Sequence, residues 1–415
     1  MTLKKQVFIA ILFISSFLKG YSQTLSNEAK ISLLTISPGE ELYSAFGHSA
    51  FWVYDPIQGY DRVYNYGTFD FNEPNFYTKF IRGKLLYKLS VGDLYSIVEG
   101  AKYENRGVIE QELNLSKEIK NKLFQFLETN NLPQNRYYKY DFFFDNCSTR
   151  LRDALGVAAD KSLTFNLKET EKKSFRQLLD PFLVNKQWQD MGMDIGLGTP
   201  ADQIARPYDY MYLPEHLYSG FASATILTTE EKTNDTLSVK KGVLPQKALP
   251  LVKATRVIFK QTERSIAESS FSPTMAFWLL FLIVLIFTVF QLKSPSPSYL
   301  VDVVFLTITG LLGFLIVFLW LGTDHKVTAN NWNLIWAMPL NVIAAFLLPR
   351  RKALPVLRLY FLIYGILMLL LVTLWPFLPQ ELNIATLPFI LILVHRSFFI
   401  FFKLNTGGKV RSNTI

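Results

Sequence analysis

One cysteine and four histidines limit the nucleophilic chemistry that this chain of 415 residues can perform. Cys147 is the sole cysteine, so it cannot form a disulfide within its own molecule. It follows an aromatic run that we interpret as a strand, and a helical pattern comes after it, so we expect Cys147 to open a helix. The amides and dipole of a helix N-terminus lower the pKa of a thiol placed there. Cys147 is therefore predicted to be a reactive nucleophile, the alternative being a buried, inert cysteine.

A thiolate nucleophile needs a general base, and His48 is the best placed of the histidines. It enters a predicted strand directly after Gly47, where rigid backbone would hold the imidazole in place. The paired strand carries Asn65, whose amide oxygen can accept a hydrogen bond from the ring, with Tyr66 as a competitor if the register shifts by one residue. The other interpretation of Asn65 is a bulge or turn residue. Cysteine on a helix, histidine on a facing strand and a third polar residue are the parts of a papain-like site.

The elements that must position these residues are a mixture of strands and helices. Short β-branched and aromatic runs predict strands at 31–36, 49–54, 62–69, 85–89 and 108–115, the second and third forming a hairpin. Amphipathic spacing and capping residues predict helices at 75–82, 117–129 and 148–155. The segment from 90 to 107 shows no clear period. We therefore expect an α+β domain before the membrane region.

Hydropathy divides the chain into a signal, an exported domain and a membrane bundle. Residues 1–22 combine a basic start, an apolar run of about 12 residues and small residues at a signal-peptidase position, which predicts a secretory signal, cleaved or retained as an anchor. Residues 23–272 form the predicted exported domain. Apolar runs at 274–292, 299–321, 332–348, 356–378 and 384–402 predict a five-helix transmembrane bundle over 273–403, followed by a tail at 404–415.

Lysine and arginine set the predicted orientation of the bundle. The predicted cytoplasmic segments 293–298, 349–355 and 403–415 hold seven of them, whereas the outer loops 322–331 and 379–383 hold only Lys326. This bias places the first domain outside the cytoplasm and the C-terminus inside. It also accounts for much of the net charge of +9, so we expect no nucleic-acid partner.

Two further side chains are candidates for substrate binding. His325 lies in the first outer loop, on the same side of the membrane as Cys147, and is either a substrate-site residue or a solvated loop histidine. Arg150 can bind a lipid phosphate, or it can be an ion-pair partner on the helix surface. The scattered histidines form no ligand cluster and no nucleotide-binding fingerprint is present, so we expect neither a metal nor another cofactor.

Four stretches of the sequence together resemble a known group of enzymes. They are Ser44-Ala45-Phe46-Gly47-His48-Ser49, Val63-Tyr64-Asn65-Tyr66-Gly67-Thr68-Phe69, the run from Tyr140 to Arg150 that contains Asn146-Cys147, and Asn331-Trp332-Asn333-Leu334. The first three resemble the circularly permuted papain-like group that includes lecithin:retinol acyltransferase. The whole chain is similar to the Lnb family of Gram-negative lipoprotein N-acyltransferases, in which a signal peptide and a periplasmic thiol-acyltransferase domain precede a transmembrane bundle.

The resemblance implies a multi-pass enzyme of the bacterial inner membrane with Cys147 as nucleophile and His48 as base. Asn65 stands where some acyltransferases carry a histidine. A phospholipid or diacylglyceryl lipid would donate an acyl chain, through a Cys147 thioester, to the N-terminal amine of a diacylated lipoprotein. Transfer within one lipoprotein and transfer from a separate lipid both remain open. Two other functions also fit the residues: a cysteine peptidase or amidase acting on peptidoglycan, and a non-catalytic envelope sensor or scaffold.

Overall fold

The computed structural model describes residues 24–167, 172–229, 246–262, 271–294, 297–350 and 354–406. The predicted signal at 1–22 and the tail beyond residue 406 lie outside these residues.

A seven-stranded antiparallel sheet forms the centre of the N-terminal domain. The strands of the described residues are β1 (Lys30–Ile36), β2 (His48–Asp55), β3 (Tyr60–Thr68), β4 (Leu86–Gly92), β5 (Val108–Leu113), β6 (Tyr137–Lys139), β7 (Leu163–Thr164), β8 (Thr225–Thr229), β9 (Gln246–Pro250) and β10 (Val252–Phe259). The main sheet has the order β10-β5-β1-β2-β3-β4-β6, and β7, β8 and β9 form a second, smaller sheet. The hairpin of β2 and β3, which pairs Phe51 with Tyr64, brings the start of β2 close to the end of β3.

Helices cover both faces of the main sheet. The helices of this domain are α1 (Phe76–Ile81), α2 (Leu94–Tyr103), α3 (Lys117–Asn131), α4 (Cys147–Ala159), α5 (Asp180–Leu183), α6 (Gln187–Gly196) and α7 (Pro214–Ser223). One face packs on α3, α4 and α7 through a core that includes Phe51, Leu123, Leu151 and Phe221. The other face carries Trp52 and packs on α2. This combination of sheets and helices agrees with the predicted α+β class.

The C-terminal part of the chain is a bundle of apolar helices. Its helices are α8 (Pro273–Leu292), α9 (Leu300–Leu321), α10 (Leu340–Leu347), α11 (Leu354–Thr373) and α12 (Leu387–Thr406). Among the described residues four helical segments are long and apolar enough to cross a membrane, and they contain α8, α9, α11 and α12. Exposed leucine, isoleucine and phenylalanine side chains cover their outer surfaces, as expected for helices that face lipid.

The third predicted span, 332–348, is not a continuous long helix. A single 3₁₀ turn at Trp332–Ile335 is followed by a break, and the eight-residue helix α10 begins after Pro339. Proline has no N–H to donate and its ring clashes with the preceding turn, so a helix cannot run unbroken through this position. The expected count of five full-length helices is therefore not confirmed.

The broken segment still packs closely along α9. A Cβ atom added at Gly313 would lie 2.0 Å from the carbonyl oxygen of Ala337, and one added at Gly310 would lie 2.6 Å from the backbone nitrogen of Val342. These contacts show that the segment descends antiparallel to α9, and the two glycines allow the close approach.

Buried hydrogen bonds join the N-terminal domain to the outer loops of the bundle. Asn331 Nδ2 donates to the carbonyl oxygen of Ile195 over 2.7 Å, and Gln380 Nε2 donates to that of Leu197 over 2.8 Å. Asn383 Nδ2 donates to a carboxylate oxygen of Asp194 over 2.8 Å. Because buried hydrogen bonds have definite geometry and are costly to lose, these contacts hold the two parts in a defined arrangement.

Candidate active site

Cys147 is the first residue of α4, and the residues around it fix this helix start. Asn146 is the N-cap: its side chain accepts from the N–H of Thr149 (3.0 Å), while Thr149 Oγ1 accepts from the N–H of Asn146 (2.8 Å). The Asn146 amide also donates to the carbonyl oxygens of Phe142 and Tyr212, both over 2.9 Å. The asparagine next to the cysteine is therefore a capping residue that sets the position of the thiol.

His48 begins β2, and its imidazole lies close enough to Cys147 for each group to shift the pKa of the other. Its Nε2 lies 2.6 Å from Oδ1 of Asn65 on the neighbouring strand β3. Because an amide oxygen can only accept, Nε2 carries the proton of this bond and Nδ1 is left to exchange a proton with the sulfur. The structure thus brings Cys147, His48 and Asn65 together, each on a different element.

Each member of the cysteine–histidine pair changes the pKa of the other. Burial acts to raise the pKa of the Cys147 thiol, but the charge and hydrogen bond of His48, with a hydrogen bond from the Ser49 N–H, outweigh it and the pKa is lowered. Burial acts to lower the pKa of His48, whereas the Cys147 thiolate and the bonds to Cys147 and Asn65 raise it. Both shifts act towards a thiolate–imidazolium pair, which is the form in which a cysteine is an activated nucleophile.

The first backbone N–H groups of α4 meet the requirements of an oxyanion-binding site. The first intrahelical hydrogen bond runs from the N–H of Arg150 to the carbonyl oxygen of Asn146 over 3.1 Å. The N–H groups of Cys147 and Ser148 precede it and belong to the end of the helix where backbone donors lack intrahelical partners. They can therefore stabilise an oxyanion on a carbon attached to the sulfur.

A cavity of about 1170 Å³ opens in front of the sulfur and extends to the membrane domain. Cys147 and His48 lie on its wall, together with aromatic side chains such as Phe46, Phe142 and Tyr140. The opposite wall comes from the outer end of α9 and the loop after it, including Trp320 and Lys326. A largely apolar cavity of this size next to a membrane surface can hold part of a lipid acyl chain.

The other candidate residues have different positions. His325 lines the cavity, and its Nε2 lies 3.0 Å from the carbonyl oxygen of Phe80. Arg150 is not among the described residues that line the cavity; it binds both carboxylate oxygens of Asp145 and its guanidinium lies 3.5 Å from the centre of the Tyr138 ring. Its contacts are those of the ion-pair alternative, and binding of a lipid phosphate stays a prediction. Tyr66 is buried in the main core, and Asn65, not Tyr66, reaches His48.

Gly67 is a site residue that sequence reasoning did not single out. Its φ of +89° lies in the left-handed region, and a Cβ atom added there would lie 3.8 Å from Cys147 Cβ and 3.6 Å from the Tyr140 ring. The register of β3 and β4 shifts between Asn65 and Thr68, which indicates a bulge at this point. The signal in the sequence was a glycine within a β-branched and aromatic run, next to the candidate Asn65.

Among the described residues, no group of three or more histidine, cysteine, aspartate and glutamate side chains lies close enough to bind a metal ion.

Comparisons with known families match both parts of the chain. Residues 19–181 match the Lnb N-terminal periplasmic domain, and residues 265–406 match the Lnb transmembrane domain. A search among curated proteins and a search among solved structures gave no match. His48, Asn65 and Cys147 all lie within the part that matches the periplasmic domain.

Proposed function

Because the chain belongs to the Lnb family, as an inner-membrane protein with a periplasmic domain, we propose that it is a lipoprotein N-acyltransferase with Cys147 as its nucleophile. The observation that carries the proposal is the position of Cys147 and His48 together in a cavity that the membrane domain helps to form. A soluble peptide substrate would need no wall from a transmembrane helix. An acyl donor that already lies in the bilayer would need such a wall.

In the first half-reaction the enzyme accepts an acyl chain. The Cys147 thiolate attacks the carbonyl carbon of a lipid ester, and the amides of Cys147 and Ser148 stabilise the oxyanion. The ester C–O bond then breaks, and the imidazolium of His48 gives its proton to the departing alcohol. The products are an acyl thioester on Cys147 and a lyso-lipid.

In the second half-reaction the acyl chain moves to an amine. The neutral N-terminal amine of a diacylated lipoprotein attacks the thioester carbonyl, and His48 takes the proton that this nitrogen loses. The C–S bond breaks, an amide forms, and the thiolate–imidazolium pair returns. Asn65 acts through His48 by fixing the ring orientation and tautomer during both steps.

The same proposal assigns the orientation of the chain. The N-terminal domain lies in the periplasm, as the family description states for the matched residues. The C-terminus then lies in the cytoplasm, as the distribution of lysine and arginine predicts. The domain takes the permuted papain-like arrangement, which fits a helix-borne cysteine facing a strand-borne histidine.

Mass spectrometry of lipoprotein N-termini tests the proposal directly. Cells that lack the protein should contain lipoproteins with a free N-terminal amine, and the wild-type chain should restore the N-acyl group. Cys147→Ser should lower transfer by roughly 10³-fold or more, because an alcohol is a far poorer nucleophile in a site built for a thiolate. Purified wild-type protein incubated with phospholipid should gain the mass of one acyl chain on Cys147.

A matched pair of histidine variants controls for general damage to the domain. His48→Gln should abolish transfer, whereas His216→Gln, which alters a half-buried histidine in α7 outside the described cavity lining, should not. Normal N-acylation by a stably folded Cys147→Ser variant would contradict the proposal and favour a scaffold. Release of cell-wall fragments without an acylated enzyme would indicate a peptidoglycan hydrolase.

A further inference from the structure

The connection between β3 and β4 exposes a cluster of aromatic side chains. We call residues 69–85, which contain α1, the α1 loop. The rings of Phe69, Phe71 and Phe76 contact one another, and Phe76 also contacts the rings of Tyr77 and Phe80. Although Phe76 is buried, 73% of Tyr77 and 60% of Phe71 are exposed, as is much of Phe80 and Ile81. A contiguous exposed apolar patch of this kind marks an interaction site.

Three contacts hold the α1 loop against the outer loop that follows α9. The N–H of Asp324 donates to the carbonyl oxygen of Arg82 over 3.0 Å, and His325 Nε2 lies 3.0 Å from that of Phe80. A Cβ atom added at Gly83 would lie 3.2 Å from the backbone nitrogen of His325, so the two backbones are in direct contact. The α1 loop is therefore fixed to the bundle at this point.

This attachment determines the height of the α1 loop above the membrane. Helix α9 has 22 residues, which gives a length of about 33 Å, close to the roughly 30 Å of a bilayer's hydrocarbon core. Its last residue, Leu321, is largely exposed and lies three residues before Asp324. Three residues span at most about 11 Å, so the α1 loop lies at the level of the lipid headgroups.

The charged residues around the aromatic patch also fit a position at the level of the lipid headgroups. Arg82 and Lys84 in the α1 loop are exposed, and both lie near enough to Asp324 to lower the pKa of its carboxyl, although the hydrogen bond from Lys139 has the largest effect. Lys326 is exposed on the same outer loop. Aromatic side chains bordered by lysine and arginine are typical of surfaces that bind anionic lipid headgroups.

We propose that the α1 loop inserts Phe71, Tyr77 and Ile81 into the periplasmic leaflet of the inner membrane and forms the rim over which a lipid reaches the cavity. The patch and the cavity are continuous, because Phe80 and Gly83 belong to the α1 loop and line the cavity wall. A lipid whose headgroup contacts the basic residues can move an acyl chain past Phe80 without crossing water. The partner of this surface is the bilayer and not a second protein.

Depth measurements with spin labels test the insertion. In a Cys147→Ser background the chain has no other cysteine, so Tyr77→Cys and Phe71→Cys can each carry a single nitroxide label. The full-length protein is placed in vesicles of phosphatidylethanolamine and phosphatidylglycerol. Both labels should be more accessible to oxygen, which partitions into lipid, than to a water-soluble nickel chelate.

A label at Tyr103 is the matched control. Tyr103 is an aromatic residue that is 92% exposed at the end of α2, a helix that packs on β3 and β10. This label should be accessible mainly to the nickel chelate. Equal nickel accessibility at positions 77, 71 and 103 would overturn the proposal.

A second measurement concerns lipid delivery and rests on the proposed acyltransferase function. Tyr77→Ser combined with Ile81→Ser should slow acylation of Cys147 by vesicle phospholipid roughly tenfold, because the rim loses apolar contact with the leaflet. Tyr103→Ser, which alters an exposed aromatic residue outside the α1 loop, should retain the wild-type rate. An unchanged rate in the double serine variant would contradict the proposed role of the α1 loop in lipid delivery. Failure of the acyltransferase proposal itself would leave the depth result intact, because that measurement needs no reaction.

Discussion

Cys147 and His48 each favour the charged form of the other inside the protein. Only 7% of Cys147 is exposed, and burial alone would leave a neutral thiol. The neighbouring imidazolium and the Ser49 N–H reverse this effect. In the proposed acyltransferase reaction, this lowered thiol pKa would favour the nucleophilic thiolate before a lipid binds.

Alkylation of Cys147 by iodoacetamide measures this coupling. The wild-type rate should reach half its maximum below about pH 8.5, the ordinary pKa of a cysteine thiol, because the folded protein favours the thiolate. In His48→Gln the thiol loses its largest favourable partner while burial remains, so the midpoint should rise by at least about one pH unit. His216→Gln should keep the wild-type profile. Overlapping profiles for wild type and His48→Gln would refute the ion pair.

Sequence reasoning reached the three central side chains but not their exact pairing. A helix start at an Asn-Cys pair and a histidine entering a strand can be read from local patterns. The choice between Asn65 and Tyr66 cannot, because a slip of one residue in a hairpin exchanges the two faces of a strand. The contacts of Arg150 could not be predicted from the sequence either, since the tertiary fold brings Asp145 and Tyr138 next to its guanidinium.

Among the elements, those with a clear hydrophobic period were predicted well, whereas a helix in the segment without such a period was not. The predicted strand at 31–36 is observed at Lys30–Ile36, and the predicted helix at 117–129 at Lys117–Asn131. Helix α2 fell in the segment without a clear period; the Asp93 side chain, which accepts from the N–H of Ser96, fixes its start. The aromatic run before Cys147 forms only the short strand β6. Beyond it, Asp141 accepts from the N–H groups of Phe143 and Phe144 and turns the chain.

The position of Gly67 in the bulge predicts that a side chain here would reduce the space in front of the Cys147 sulfur. Gly67→Ala places a methyl group within 4 Å of Cys147 Cβ and forces a side chain into a left-handed conformation. Acyl-enzyme formation should fall by at least roughly tenfold, since small displacements at a reacting centre are costly. The rate of acyl transfer and the melting temperature of the variant give the two measurements.

Gly59→Ala is the matched control for this strain. Gly59 also has a positive φ, +70°, but a Cβ atom there would meet nothing within 4 Å. Both variants should lose about 1 kcal/mol of stability from the backbone conformation alone. Equal activity in the two would show that Gly67 does not keep space for the acyl group.

At the scale of the whole molecule, a buried arginine organises the junction between the two parts. Arg176 binds carboxylates of Asp194 and Asp202, and Asn383 in an outer loop donates to Asp190 and Asp194. No local pattern predicts this arrangement, because its members are separated by up to about two hundred residues in sequence. Hydropathy likewise predicted the apolar segment at 332–348 but not the break within it, since one proline, Pro339, barely changes the mean hydropathy of an apolar window.

Crowding of carboxylates at this junction makes stability depend on pH. Burial and the neighbouring Asp194 raise the pKa of Asp190 to about 6. The folded state therefore binds more protons than the unfolded state between about pH 4 and 6, and the charged carboxylate destabilises the fold above that range. Asp190→Asn keeps an acceptor for Asn383 and should raise the melting temperature near pH 7.5, with a gain that shrinks near pH 5.

The melting temperatures are measured on the protein in detergent, and Glu118→Gln is the control variant. Glu118 is an exposed carboxyl whose pKa is lowered by its hydrogen bond and charge interaction with Lys122. Removing its charge should not stabilise the protein at either pH. A gain for Asp190→Asn that is the same at both pH values would argue against titration at the junction.

The hydrogen bonds from Asn331, Gln380 and Asn383 keep the sulfur at a constant distance from the bilayer plane. If the chain is the acyltransferase proposed above, donor and acceptor lipids reach it by lateral diffusion, so their relevant abundance is a surface density. Turnover should follow the mole fraction of substrate in the bilayer and should be insensitive to the total volume in which the vesicles are suspended. Diluting the substrate with inert lipid would slow such an enzyme, whereas adding buffer would not.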